Sequence, residues 1–352
     1  MKKLSFAIGF FAFAFCSVNA QTEQTDTVKA KIFDSNEAEK LYNSGVSNIT
    51  SKNFDAAITD FNQAITIKPD FDKAYANRGL AKFEKKDFQG AIADYNKTIE
   101  LNPNADNVNF NRAQARYALK DIDGALGDYN IDLQKNPNHA QAYYYRGCIK
   151  FDKVDYKGAI EDYTSAIAAK PDYAYAYNDR GSAKRQLEDI VGAMLDYDKA
   201  TQLDAKMAFA WNNLGSAKRK KGQAKEAILD YTRAIQQKSD YYIAYNNRGS
   251  AKFDIGDYEG AIKDFTEALK IKPDYAYALN NRSAAKFKTK DYAGSVDDAT
   301  AAIKLNPDYG YAYLNRGNSK EMLRDEMGSC SDWNKAATLG VANAKPYLSD
   351  CQ

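Results

Sequence analysis

Apolar and polar positions along the chain repeat with a period of 34 residues. In residues 242–275, which form one period, apolar and aromatic side chains follow a helical spacing in two blocks, one ending near Phe253 and the other beginning at Tyr258. Between the blocks, Asp257 is placed to cap the second helix through its side-chain oxygen. Pro273 ends that helix because proline has no N–H to continue the hydrogen-bond ladder. Each period therefore predicts two helices joined by a short turn.

The same pattern fills residues 38–343 with nine units. A repeat this regular indicates one supersecondary unit stacked on copies of itself, because a single unit cannot bury its apolar face alone. We therefore expect an all-α solenoid of nine helix-turn-helix units whose role is to present a binding surface. The units begin at Ala38, Asp72, Asp106, Ala140, Ala174, Ala208, Tyr242, Ala276 and Gly310.

The two ends of the chain lack this pattern. Residues 1–20 carry two early lysines, an apolar run and small residues before Gln21, which is typical of a signal peptide cleaved at that point. Residues 21–37 are polar and without period, and predict a flexible lead-in. Residues 344–352 are predicted to form a segment that caps the open apolar end of the last unit.

These features predict an exported protein, periplasmic or secreted. Cys16 raises a lipoprotein hypothesis, but Phe15 stands where such a signal requires a small residue. The apolar run of the first segment is shorter than the roughly 20 residues that a bilayer requires, and no later stretch could span one. We therefore expect the mature protein not to be embedded in a membrane.

Recurrent small and aromatic residues characterise the unit further. Most units have an aromatic residue at the fourth position, glycine at the eighth, alanine at the twentieth and twenty-seventh, and proline at the thirty-second. The twenty-fourth position is also aromatic, in Phe61, Tyr95, Tyr129, Tyr163, Tyr197, Tyr231 and Phe265. This combination resembles the tetratricopeptide repeat family. The resemblance implies a right-handed superhelix of helix pairs, with a concave groove lined by the first helices.

Charged residues occupy fixed positions inside this register. The seventh position is arginine in seven of nine units, and the eleventh is basic in eight. Aspartate takes the twenty-third position of every unit: Asp60, Asp94, Asp128, Asp162, Asp196, Asp230, Asp264, Asp298 and Asp332. We predict that each aspartate meets an arginine or lysine of a neighbouring first helix. The alternative is a set of independent solvated charges, of which even a formed pair contributes only about 0–1 kcal/mol.

Asparagine is the leading candidate for ligand binding. It takes the sixth position in seven units, interrupted by Tyr145 and Asp179, and also the fifth position in units five to eight. The resemblance places these positions in the groove, where an amide can satisfy both the N–H and the C=O of a peptide. The alternative is that asparagine bridges helices within the scaffold. The predicted groove asparagines are Asn178, Asn212, Asn213, Asn246, Asn247, Asn280, Asn281 and Asn315.

Aromatic and apolar residues at the second position adjoin these asparagines. They would give a groove contact area for a ligand, and the alternative is that they only pack helix against helix. The residues are Tyr175, Phe209, Ile243, Tyr277 and Tyr311.

Three cysteines remain after the predicted export, and two of them lie near the C-terminus. A disulfide bond between Cys330 and Cys351 would close a loop of about 20 residues and stabilise the fold by about 3 kcal/mol. An oxidising compartment would permit it. Cys148 would then stay free at a ninth position that the resemblance places in the groove. The alternative is three reduced thiols.

Composition and motifs give little material for catalysis. Lys and Arg number 49 against 47 Asp and Glu, for a net charge of +2, which gives no sign of electrostatic binding to nucleic acid. His139 is the only histidine, and no cysteine or carboxylate cluster has the spacing of metal ligands. No phosphate-binding loop or nucleophile elbow is present. We expect no catalytic residue, metal or cofactor.

The sequence therefore favours a non-catalytic exported scaffold that binds a protein or an extended peptide segment, with an envelope complex as one setting for it. A second hypothesis is a glycan-binding protein, because asparagine amides and tyrosine rings also suit sugars. A third hypothesis, an auxiliary domain of an enzyme, is disfavoured because almost the whole mature chain is repeat. The fold alone identifies no partner.

Overall fold

The structure, a computed structural model, describes residues 34–351. The predicted signal peptide and residues 21–33 of the predicted lead-in lie outside the described residues. Within the described part, the chain forms helices and short connections and contains no strand. It divides into two compact units, each containing several of the 34-residue repeats: the first unit is Met1–Ala142 and the second unit is Tyr143–Gln352. The all-α repeat architecture expected from the 34-residue pattern is thereby confirmed.

The first unit consists of consecutive helix pairs. Its helices are α1 (34–50), α2 (Phe54–Ile67), α3 (Asp72–Glu84), α4 (Phe88–Leu101), α5 (Val108–Ala118), α6 (Ile122–Lys135) and the start of α7 (Ala140–Asp152).

Two boundaries of the first unit differ from their prediction. Residues 34–37, expected to belong to a flexible lead-in, are already helical, and Glu37 accepts a hydrogen bond from Lys40 one turn later. Helix α5 begins two residues after the expected start of its unit, because Asn107 takes a left-handed backbone conformation with φ of 58°.

The second unit continues the same arrangement. Its helices are the rest of α7, α8 (Tyr156–Ala169), α9 (Ala174–Gln186), α10 (Ile190–Leu203), α11 (Ala208–Lys220), α12 (Ala224–Gln237), α13 (Tyr242–Asp254), α14 (Tyr258–Ile271), α15 (Ala276–Lys288), α16 (Tyr292–Leu305), α17 (Gly310–Met322) and α18 (Glu326–Thr338), followed by a 3₁₀ helix (Ala342–Asp350).

In the last helix pair α18 ends at Thr338, within the final unit, which the sequence pattern extends to residue 343. Gly340 follows in a left-handed conformation with φ of 84°, which is a common way to end a helix. The terminal segment then forms a 3₁₀ helix, and its Val341 and Ala344 are buried against Trp333. The segment thus packs on the apolar end of the last pair.

Local chemistry explains how each pair is built. The carboxylate of Asp257 accepts a hydrogen bond from the backbone N–H of Gly260 at 2.9 Å, so it caps α14 as predicted. In the same position, Asn53 and Gln223 make no side-chain capping bond. A Cβ atom at Gly249 would come within 2.8 Å of the Phe265 ring, so glycine is what lets the two helices of this pair approach.

Eight buried aspartates lie between the two helices of their own pairs, and we call them the aspartate row. Arg248 donates from Nε and Nη2 to the two carboxylate oxygens of Asp264, at 2.9 and 2.7 Å, and Lys252 Nζ lies 2.8 Å from the carboxylate. The same arginine donates to Thr232 Oγ1 of the preceding pair at 3.1 Å. The row consists of Asp94, Asp128, Asp162, Asp196, Asp230, Asp264, Asp298 and Asp332.

This geometry decides between the two interpretations of the repeated charges. Asp264 is 3% exposed and is bonded by two cations, so the alternative of independent solvated charges is wrong for the row. Removing one member of a buried pair leaves its partner uncompensated, which costs about 3–5 kcal/mol. The arginines therefore join the helices of a pair and, through the threonine contact, also join one pair to the next.

Two pairs depart from the rule. In the sixth, Leu214 takes the arginine position, and Asp230 is instead bonded by Lys218 and, at 3.1 Å, by Arg233 from its own helix. Burial raises the pKa of Asp230. In the first pair, Asp60 accepts hydrogen bonds from Ser44 and Asn48, and no cation among the described residues reaches it. The prediction that every aspartate meets a cation is therefore wrong at this pair.

Candidate functional site

The predicted groove asparagines bond to one another between consecutive first helices. Asn247 Nδ2 donates to Asn212 Oδ1 of the preceding pair, and Asn281 Nδ2 donates to Asn246 Oδ1, both at 3.0 Å. The structure thus arranges all eight predicted asparagines in four bonded pairs. The pairs are Asn213 with Asn178, Asn247 with Asn212, Asn281 with Asn246, and Asn315 with Asn280.

The two positions of each pair differ in burial. The fifth-position side chains are only 3–7% exposed, and each accepts a hydrogen bond from the next first helix. The sixth-position side chains are half-buried. Their N–H groups are used inside the scaffold, whereas the Oδ1 atoms of Asn213, Asn281 and Asn315 accept no hydrogen bond from the described residues. The buried members are Asn178, Asn212, Asn246 and Asn280.

The second-position aromatic residues are mostly exposed. Tyr175, Tyr277 and Tyr311 are 49%, 58% and 56% exposed, so helix packing alone does not account for these three side chains. Phe209 is half-buried and packs on the apolar cluster around Met207, as the packing alternative describes. The three tyrosines leave ring surface available one turn before the sixth-position residues Asp179, Asn281 and Asn315.

A cavity of about 380 Å³ opens on the first helices α7 and α9 of the second unit. It lies where the asparagine pattern is interrupted by Tyr145 and Asp179. Its lining residues are Cys148, Phe151, Asp152, Tyr163, Asp179, Ser182, Arg185 and Gln186. The interruption is visible in the sequence, but no site was predicted at this place from it. The substitution of Asp for Asn at Asp179 was the available signal.

Asp179 is held in this cavity wall by neutral donors. Tyr144 Oη donates to Oδ2 at 2.7 Å, and Asn178 Nδ2 donates to Oδ1 at 2.8 Å. In the first unit the corresponding bond runs the other way, from Asn77 Nδ2 to Tyr42 Oη at 2.9 Å. A carboxylate can only accept, so the tyrosine must donate to Asp179. Burial raises the pKa of Asp179, and these two hydrogen bonds partly oppose that effect.

Cys148 is a free thiol in the same cavity. Burial, together with the negative charge of Asp179, raises the pKa of Cys148 to about 12. Three other pairs place a serine at this ninth position, and there Ser182 Oγ accepts a hydrogen bond from Tyr197 Oη at 3.2 Å. The tyrosine that corresponds to Tyr197 in the pair of Cys148 is Tyr163, which lines the same cavity. The thiol is therefore a weakly ionised part of the cavity wall.

A second cavity, of about 350 Å³, lies two pairs further along and has a different charge. Asn247 occupies the position of Asp179, and Arg219 and Lys220 line the wall. Both cations already have partners, since Arg219 Nε lies 2.6 Å from Asp254 and Lys220 bonds Glu188. This basic spot is therefore neutralised within the scaffold.

The two C-terminal cysteines, Cys330 and Cys351, form a disulfide bond in the structure, with their Cα atoms 5.5 Å apart. The bond ties the 3₁₀ helix to α18. A covalent link across this terminal segment limits the conformations of the unfolded chain and so stabilises the folded one.

The described residues offer little for metal or membrane chemistry. No group of three or more His, Cys, Asp and Glu side chains among them could hold a metal ion. His139 Nδ1 lies 2.6 Å from Asp132 Oδ2 and its ring packs 4.6 Å from that of Phe110. In the part of the chain that the structure describes, no helix has the length and apolar character needed to cross a bilayer.

The chain is similar to several solved structures. These include the C-terminal part of a TPR repeat-containing protein from Cytophaga hutchinsonii (18% identity, 67% of this chain and 97% of that chain, TM-score 0.56) and a tetratricopeptide repeat protein from Parabacteroides merdae (17%, 71% and 99%, 0.51). Another is the APC/C hetero-tetramer Cut9-Hcn1 (14%, 89% and 76%, 0.56). At these identities the likeness concerns the fold.

Among proteins with a curated description, none matches the chain by sequence. Models of the tetratricopeptide repeat, by contrast, match most of it. One model matches residues 72–105 and 242–275, a second matches 110–174 and 146–208, and a third matches 210–241. A TPR repeat model matches 51–86. Together with the helix pairs and their small-residue contacts, these matches show that the chain belongs to the tetratricopeptide repeat family.

Proposed function

We propose that the protein is an exported, non-catalytic scaffold that binds an extended peptide segment of a partner protein along the first helices of its second unit. The observation that carries the proposal is the pairing of the asparagines. Each sixth-position amide is oriented through its N–H by the preceding helix, while the oxygens of Asn213, Asn281 and Asn315 are left to accept a hydrogen bond from a ligand.

The exposed tyrosines support the same surface. Tyr277 and Tyr311 lie one turn before Asn281 and Asn315 on their helices, and Tyr175 lies one turn before Asp179. Tyrosine gives a large contact area at a low cost in conformational entropy. A row of fixed acceptors flanked by aromatic rings suits an extended chain, whose N–H groups recur at regular intervals.

Binding of degenerate peptide pools tests the proposal. We expect immobilised 12-residue pools to retain the wild-type protein, and the triple variant Tyr175→Ala, Tyr277→Ala and Tyr311→Ala to be retained about tenfold less. The matched control changes Val191, Leu195 and Leu229, which are similarly exposed on second helices, to Ala. Equal retention of the tyrosine variant and the control would refute this surface.

Glycan binding is the second candidate, and the exposed rings of Tyr277 and Tyr311 favour it, since sugars stack on such rings. Free oligosaccharides separate the two. If a glycan is the ligand, free oligosaccharides should displace the protein from an immobilised glycan. If a peptide is the ligand, they should leave its retention on the peptide pools unchanged.

Export is proposed from residues 1–20 and is consistent with the disulfide bond of Cys330 and Cys351, a bond typical of oxidising compartments. The mass of the protein recovered from fractionated native cells tests it. We expect a chain that begins at Gln21 and lies outside the cytoplasmic fraction. A cytoplasmic chain that retains residues 1–20 would contradict the proposal.

A further inference from the structure

Asp179 has no cation partner among the described residues, unlike the buried aspartates of the row in this unit. Each member of the aspartate row in this unit is bonded by two basic side chains, as Asp264 is by Arg248 and Lys252. Among the described residues, only the neutral groups of Tyr144 and Asn178 bond to the half-buried Asp179. A carboxylate shielded from water gains more from a counter-charge than an exposed one does, so a cation supplied by a ligand would find in Asp179 a partner that the scaffold leaves uncompensated.

The carboxylate retains the capacity to bind one. An ionised carboxylate has about four lone-pair directions, and the two neutral donors use two of them. Asp179 lines the cavity of about 380 Å³, whose wall also contains Asp152. The lining as a whole carries two carboxylates, Asp152 and Asp179, against one guanidinium, that of Arg185.

The remaining walls suit the stem of a long cationic side chain. Phe151 and Tyr163 contribute aromatic surface, and Ser182 and Gln186 contribute polar groups. Lysine and arginine place an aliphatic stem on apolar surface while the charged head reaches a polar partner, and aromatic rings attract such cations.

We propose that this cavity binds a lysine or arginine side chain of the peptide ligand, with Asp179 as its counter-ion. The inference rests on the proposed function and adds the chemistry of one ligand position. It also makes two places along the first-helix surface unequal, because a cation would bind at one of them and not at the other. The equivalent position two pairs further along is the neutral Asn247, in a cavity whose two cations are already paired.

Peptide pools with one fixed central residue test the site. We expect wild-type protein to be retained on the Lys and Arg pools about tenfold more strongly than on the Gln pool, and least on the Glu pool. Asp179→Asn should bind the Lys and Gln pools equally. Asp172→Asn removes the same charge from an exposed turn and should keep the wild-type preference.

Asp179→Asn is expected to fold, because asparagine occupies this position in seven of the nine units. A melting curve for each variant checks this directly. Protection of Cys148 locates the bound side chain, since the thiol lines the same cavity. Saturation with the Lys pool should slow alkylation of Cys148 at least about tenfold, and saturation with the Glu pool should not.

The outcomes separate the two proposals. Retention of wild-type protein on none of the pools overturns the proposed function and this inference together. Retention without a preference for Lys and Arg, or a preference that Asp179→Asn keeps, overturns the cation site alone. Failure of the Lys pool to protect Cys148 also overturns it.

Discussion

Asp264 is buried and Asp179 is half-buried, and both belong to the second compact unit, but their bonding partners differ in charge. Asp264 lies between α13 and α14 and is neutralised by two cations of its own helix pair. Asp179 lies on a first helix beside a cavity and meets only neutral donors. The difference separates a charge that holds helices together from a charge that the scaffold leaves unmatched. A repeat that is uniform in shape can thus carry different chemistry at different places.

The largest effect is expected at the aspartate row. Asp264→Asn leaves Arg248 and Lys252 without their carboxylate, and we expect the free energy of unfolding to fall by about 3 kcal/mol. Urea denaturation followed by circular dichroism measures it. Asp274→Asn is the matched control, because Asp274 is exposed and pairs only with Lys272. It should leave the urea midpoint unchanged within the error of the measurement. Equal stability of the two variants would remove the structural role of the row.

A smaller effect tests whether an arginine on the second helix can substitute for the first-helix arginine as a partner of the aspartate. Arg248→Leu imitates Leu214 of the sixth pair, and we expect a loss of about 2 kcal/mol, since Asp264 keeps only Lys252. Adding Glu267→Arg copies Arg233, which bonds its aspartate three residues earlier, and should restore about 1 kcal/mol. Urea denaturation of the single and double variants measures both steps. Glu267→Arg alone is the control, and a gain of the same size there would show that no rescue occurs.

At Asp179 the Asp-to-Asn substitution should raise the free energy of unfolding, whereas at Asp264 it should lower it. Asp179→Asn removes no cation contact, and the new amide can donate to Tyr144 as Asn77 does to Tyr42, so we expect a small gain, below about 1 kcal/mol, at pH 7. The folded pKa of Asp179 is raised, so the folded wild type binds the proton more tightly and loses stability as pH rises through that titration. The gain should therefore shrink as pH falls towards 4. A loss comparable to that of Asp264→Asn would erase the contrast between the two carboxylates.

The smallest effect concerns the thiol next to Asp179. Because burial and the Asp179 charge raise the pKa of Cys148 to about 12, little thiolate is present at pH 8, and alkylation should be slower than in the urea-unfolded chain. Asp179→Asn removes the nearby negative charge and should accelerate alkylation severalfold at this pH. Mass spectrometry of timed samples measures both rates, and an unchanged rate in the variant would place the carboxylate too far from the thiol to influence it.

Much of the fold was predictable from the sequence, because its causes are local. Asp257 caps the helix that follows it, Pro273 follows the end of that helix, and Gly249 allows the contact with Phe265. The late start of α5 has a local cause of a different kind. Asn107 takes a left-handed conformation that the repeat pattern does not reveal.

The candidate site was predictable only as a set of residues. The sequence identified the asparagines, but each bond between them joins side chains 35 residues apart, and only stacking of consecutive helices brings them together. The asparagines also differ in burial, since those at the fifth position are buried and those at the sixth are half-buried. The cavity at Asp179 is formed by residues of two helix pairs, so no single 34-residue repeat contains it.

The sequence by itself determined the repeat, the two helices of each unit and the positions at which charge and amide recur, because periodicity and capping act within a few turns of chain. Only the tertiary structure decided which charges are neutralised and which are not. Lys218 and Arg233 compensate Asp230 where Leu214 replaces arginine, while nothing among the described residues compensates Asp179. Charge compensation depends on distances across packed helices, and those distances are set by the stacking of whole pairs.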